Sequence, residues 1–152
     1  MKALLTSLGL LLTAVSTPAS AQPADAAETA IRTALAQWTI DFNARDASRI
    51  CDLFAKDLRY DYRGFPERGY EALCGLLHKS LADRTKQFVY SLDIREIIVS
   101  GDLAVVRLIW TLEVTIPGTA NVVRSKEPGL DVFRRQTDGR WKIVRYIAYE
   151  AP

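Results

Sequence analysis

The sequence predicts an α+β domain in which three helices pack on one face of a strongly curved antiparallel sheet. Three observations point there. Apolar residues recur at helical spacing between about residues 26 and 43 and again between 70 and 82. Beyond Gln87 they alternate at strand spacing instead. The stretch from Gly129 to Glu150 holds two runs of β-branched and aromatic residues around Thr137-Asp138-Gly139, a composition that suits a tight hairpin.

Ahead of the first helix, residues 1–21 read as an export signal. Lys2 supplies the charge, Ala3 to Val15 the apolar run, and Ala19-Ser20-Ala21 a small-residue cleavage site before Gln22. The run is too short to span a bilayer comfortably, and no later segment has the apolar length of a membrane helix, so no membrane partner is expected after cleavage. A periplasmic or secreted protein is the expectation. Subtracting 21 from 152 leaves 131 residues, enough for one domain, residues 22–152, with one core. The 20 basic and 18 acidic residues leave a net charge of +2, which argues against a nucleic-acid surface. Basic residues gather in the second half, among them Arg107, Arg124, Arg134, Arg135 and Arg140, and read as a solvated sheet face.

The first helix carries Ile31, Leu35, Trp38 and Phe42 on one stripe, with Glu28, Arg32, Gln37 and Asp41 opposite. Asp46 suits the N-cap of a short second helix, Ala47 to Phe54, packing through Ile50, Leu53 and Phe54. Leu58 to Arg63 alternates as a first strand, with Leu58, Tyr60 and Tyr62 on one face and Arg59, Asp61 and Arg63 on the other. Gly64 to Gly69 is expected to be a loop. Tyr70, Leu73, Leu77 and Leu81 mark the third helix. From Phe88 the chain is strand after strand, with a phase break at Glu96 to Val99 that a β-bulge would produce, and a turn at Gly101-Asp102. The strand after that turn buries Ala104, Val106, Leu108 and Trp110 on one face. Pro117-Gly118 reverses the chain, Ala120 to about Lys126 forms another strand, and the Gly129–Glu150 hairpin completes the sheet.

Cys51 and Cys74 would meet an oxidising compartment, where an even count favours a structural disulfide. Two inert buried thiols are the alternative. A catalytic thiol is disfavoured, because the single histidine, His78, lies four residues along Cys74's own helix.

Trp38 to Asp46 (WTIDFNARD), Cys51 to Tyr62 (CDLFAKDLRYDY) and Gly129 to Trp141 (GLDVFRRQTDGRW) resemble, in order and spacing, the SnoaL-like branch of the nuclear transport factor 2-like superfamily. This is the cone-shaped fold shared with ketosteroid isomerase. The resemblance implies helices on the concave face of the cone and an apolar interior, where a polar side chain has to be satisfied or functional. It implies that Asp131 matches the interior acid of isomerase-type members, Trp38 their hydrogen-bond donor on the first helix, and Tyr62 their carboxylate base. A phenol with an ordinary pKa of about 10 is a poor base at neutral pH, and Asp61 next door is expected to face solvent. Dehydratase-type members use paired histidines, and this chain has one. Epoxide-hydrolase-type members need an Asp-Arg-Asp set, for which Arg145 has the wrong strand parity. No pair of histidines offers a metal site, and no cofactor motif is present.

Trp38, Tyr60, Tyr62, Tyr90, Trp110, Phe133 and Tyr146 are expected to line the interior, where they serve either as plain core or as the wall of a ligand cavity. Asp131 has two readings: an acid hydrogen-bonded within the protein that closes the cone, or an acid that contacts ligand. The leading expectation is an exported protein binding a small apolar or aromatic molecule. The alternatives are a proton-transfer isomerase or lyase using Asp131, and a dimeric protein-interaction module.

Overall fold

The computed structural model describes residues 23–119 and 121–152. The export signal expected at 1–21, with its cleavage after Ala21, lies outside the described residues, as does Ala120. The chain runs α1 (Ala24–Asn43), β1 (Phe54–Tyr62), β2 (Arg68–Gly69), α2 (Tyr70–Ala82), β3 (Gln87–Ser100), β4 (Leu103–Thr115), β5 (Val122–Arg135) and β6 (Trp141–Ala148). It is an α+β fold with a curved six-stranded sheet ordered β2-β1-β6-β5-β4-β3.

Four expectations change. There are two helices among the described residues, not three: residues 47–53 are turns. Ile50, Leu53 and Phe54 are buried as a helical stripe would bury them, but so short a segment cannot recover the cost of helix nucleation on its own. Asp46 takes hydrogen bonds from the backbone N–H and the hydroxyl of Ser48, closing a turn instead of starting a helix. Secondly, the sheet is not wholly antiparallel, because β1 pairs with β6 in parallel. Thirdly, Arg68–Gly69 pairs with Arg59 and Tyr60 as a short edge strand inside the expected loop. Finally, the two strands expected on either side of Glu127-Pro128 are one continuous β5. Pro128 is tolerated because the β6 ladder ends at the Gly129–Ala148 pair, so its missing N–H falls where only the C-terminal tail runs alongside.

Other local signals act as read. The β3 ladder shifts register between Ile94 and Glu96. The Gly101-Asp102 turn places Gly101 at φ 60, and the final hairpin places Gly139 at φ 82 behind the Gln136–Arg140 backbone bond. Arg107, Arg124 and Arg134 lie on the solvated side, paired with Glu96, Glu113 and Asp57, while the mostly buried Arg135 side chain at the end of β5 pairs with Asp102.

Ala27, Ile31, Leu35, Trp38 and Phe42 bury one stripe of α1 against the sheet. Asp41, expected on the polar side, is also buried, held by Gln37 at 2.7 Å and by Arg49 at 3.0 Å. Two residues of the WTIDFNARD stretch then fix the sheet's far edge. Asn43 donates to Tyr90 O and accepts from Tyr90 N, both at 2.8 Å, as a surrogate strand beside β3. Arg45, in the left-handed region at φ 57, donates to the carbonyls of Leu81, Asp83 and Lys86 and so ties the end of α2 to the start of β3.

Candidate functional site

Strand register builds the floor of the site. Asp131 lies opposite Tyr146 in the β5–β6 ladder, and Tyr146 opposite Tyr60 in the β6–β1 ladder. The three form one row across adjacent strands, about 5 Å apart from strand to strand. Two residues along, the matching row is Leu108, Gly129, Ala148 and Tyr62. Its two central members are the smallest side chains available, so the floor is hollow there. Two residues further, Glu127 lies opposite Trp110.

Over this hollow lies a cavity of about 320 Å³. One wall is an aromatic cluster in which Trp38 packs on Phe42, Tyr90 and Trp110 with ring centroids 5.2, 5.5 and 5.0 Å apart. Leu73 and Leu77 of α2 form the other wall, and the exposed Phe65 and Leu76 stand at the rim. Cys51 and Cys74 are joined by a disulfide, which fastens α2 to the segment before β1. His78 lies on the outside of that bond, its Nε2 3.8 Å from Cys51 Sγ.

Of the expected lining, Trp38, Tyr60, Tyr62, Tyr90, Trp110 and Tyr146 border this cavity together with Asp131. Phe133 does not: one pair beyond Asp131, it is fully buried in the closed core against Ile143 and Ala104. Trp38 presents its ring only. Its indole N–H donates to Ile50 O at 2.9 Å, so it is not the free hydrogen-bond anchor expected from the resemblance. Arg145 is exposed and donates to Asp57 O, and Asp61 is exposed, both as strand parity requires.

The floor's polar groups are unusually poor in partners. Asp131 is 4% exposed, and burial, with no hydrogen bond or cation among the described residues opposing it, raises its carboxyl to about 7. Tyr60, 3% exposed, stacks on Tyr146 at 4.5 Å, and its hydroxyl has no aligned hydrogen-bond partner among the described residues. Burial foremost, then the adjacent Tyr60 and Asp131, pushes the Tyr146 phenol well above its ordinary value. Near neutral pH the row can therefore present O–H donors to an oxygen of a bound molecule.

Glu127 was missed by sequence reading. It is half-buried, and burial, the largest influence, raises its carboxyl despite the Tyr62 phenol, which acts the other way. Burial first, then the charges of Glu127 and Glu150, lifts the Tyr62 phenol to about 12. The signal was its parity with Asp131, four residues on, which the Pro128-Gly129 punctuation concealed. Among the described residues no group of three His, Cys, Asp or Glu side chains could hold a metal ion, and no helix is long and apolar enough to cross a membrane.

The SnoaL-like domain pattern matches residues 35–146. The chain belongs to the SnoaL-like family. None of the curated protein sequences matches it. Solved structures similar to this SnoaL-like chain include a conserved protein from Planctomyces limnophilus, with 23% identity over 84% of this chain and 98% of that one and a TM-score of 0.76. A ketosteroid isomerase-like protein from Erwinia carotovora atroseptica is 23% identical over 82% of this chain and 96% of that one, at a TM-score of 0.65. A nuclear transport factor 2-like protein with a cystatin-like fold from Novosphingobium aromaticivorans is 24% identical over 81% and 80%, at 0.66. Likeness at this level establishes a shared fold, while the chemistry of a SnoaL-like cavity is set by its own side chains.

Proposed function

We propose that this SnoaL-like chain is exported as one domain, residues 22–152, and binds a small apolar or aromatic molecule in the cavity between α2 and the sheet. The observation that carries the reading is the floor row. Among the described residues a buried acid with no hydrogen bond or cation holding it and a buried hydroxyl without an aligned partner face an aromatic cavity, and an unpaired buried polar group costs roughly 1–3 kcal/mol that a ligand oxygen can recover. The disulfide supports export, since such bonds persist in oxidising compartments.

The experiment is a thermal-shift screen of phenols, ketones and aromatic hydrocarbons on the wild type and on Ala148→Leu. The larger side chain would fill the floor's hollow. Binders should stabilise the wild type and not the variant. Equal shifts in both proteins place the ligand elsewhere and refute the reading.

A second reading, a proton-transfer isomerase or lyase, is favoured by one observation: a carboxyl near 7 can both give and take a proton at physiological pH. Turnover of a bound compound that survives Asp131→Asn would remove Asp131 from such a mechanism. The outer face of the sheet also supports a homodimer. Leu130 and Ile147 are ladder partners there, 43% and 60% exposed, and Tyr149 beside them is 42% exposed.

A further inference from the structure

The mouth of the cavity has a chemistry of its own. Glu127 is a half-buried carboxylate with no ion-pair partner within 4 Å among the described residues. Three aromatic rings surround it. Trp110 is its direct cross-strand neighbour, Tyr62 lines the same cavity, and Tyr90 packs on Trp110 at 5.7 Å; burial first, then the Glu127 charge, raises the Tyr90 phenol. Glu150 adds a second negative charge from the C-terminal tail. The lining does contain one cation, Arg68, but its guanidinium lies over the Phe65 ring at 4.6 Å.

An acid ringed by a Trp and two Tyr favours an organic cation, which gains from the carboxylate and from the negative faces of the rings together. Acid and floor are also set at a defined distance. Asp131 lies four strand steps beyond Glu127, which at about 3.3 Å each is roughly 13 Å, and the Gly129–Ala148 hollow lies between them. We propose that Glu127, caged by Tyr62, Tyr90 and Trp110, is a cation site at the cavity mouth, and that the ligand is an elongated apolar or aromatic amine. The charged nitrogen rests at Glu127, the apolar middle covers Gly129 and Ala148, and an oxygen at the far end meets the Asp131–Tyr146–Tyr60 row. The inference rests on the small-molecule reading above and adds the ligand's class and orientation.

A matched pair of probes tests it: a phenol carrying a para 3-(trimethylammonio)propyl chain, and the same phenol with tert-butyl in place of trimethylammonium. The two have the same shape, and the neutral one loses less hydration on burial, so a cavity without a cation site prefers it. Titration calorimetry should show the ammonium compound binding wild type at least five-fold more tightly. Glu127→Gln, nearly the same in shape, should abolish or reverse that preference, whereas Asp131→Asn should weaken both compounds and leave their ratio unchanged. Equal or tighter binding of the tert-butyl compound by wild type overturns the cation site alone, as does a preference that survives Glu127→Gln. Failure of wild type to bind either compound overturns the cavity reading and the cation site with it. The wild-type comparison decides even if a variant fails to fold.

Discussion

Asp131 is the buried acid whose titration couples the stability of the fold to pH. Its folded carboxyl titrates near 7 against about 3.8 in the unfolded chain, so between those values the unfolded state releases a proton that the folded state keeps. Stability from this group is therefore undiminished below about pH 4 and declines as pH rises toward 7, by up to about 4 kcal/mol for a shift of roughly three pH units. Asp131→Asn removes the titration. Chemical denaturation of both proteins should show the variant's advantage growing by about that amount between pH 4 and pH 8. A pH-independent difference would mean that Asp131 is partnered in solution. The same substitution should weaken ligand binding, because an amide lacks the acid O–H the floor row supplies.

At the level of elements, α2 is one wall of the cavity, and the Cys51–Cys74 disulfide fastens it to the segment before β1. Cys74 follows Cys51 by 23 positions, a loop whose closure stabilises the fold by roughly 3 kcal/mol on the chain-entropy estimate. Replacing both with Ala should lower stability by about that amount in denaturant titration. Hydrogen exchange should accelerate in α2 and residues 44–53 more than in β4 and β5. Uniform acceleration would mean that the bond holds the whole fold and not this wall in particular. The elements themselves were legible where a period was long. α1 and α2 were read with nearly their observed ends, because each repeats its pattern over three or more turns. The false helix at 47–54 arose because apolar spacing of three and four suits a folded-back loop as well as one helical turn. The division of β5 arose because Pro-Gly ordinarily ends a strand, and only the termination of β6 beside it makes the pair acceptable.

Across the whole molecule, the two sheet faces divide the labour. The inner face carries core and cavity, and the outer face carries exposed ion pairs, which contribute little to stability, beside the Leu130–Ile147 pair. If that apolar patch joins two copies, wild type should sediment as a dimer at micromolar concentration and Ile147→Lys as a folded monomer. Wild type that sediments as a monomer would remove the outer face as an interface.

The α+β class was legible in the sequence because periodicity is a local property that the chain carries wherever it folds, and three motifs carried the resemblance to the family. The direction of Asp131 was implied by that resemblance alone and fixed by the fold, and six of the seven aromatics expected to line the cavity do so. The sequence also specified the hollow, through Gly129 and Ala148, without revealing it. Tertiary structure alone decided which of these residues meet. The parallel β1–β6 pairing sets Tyr60 beside Tyr146 and Asp131, the Ile50 carbonyl takes the Trp38 N–H, Phe133 falls behind the floor, and β5 runs unbroken through Pro128 to bring Glu127 to the mouth. Those outcomes depend on the register between strands distant in sequence, and register follows from the fit of all the strands at once.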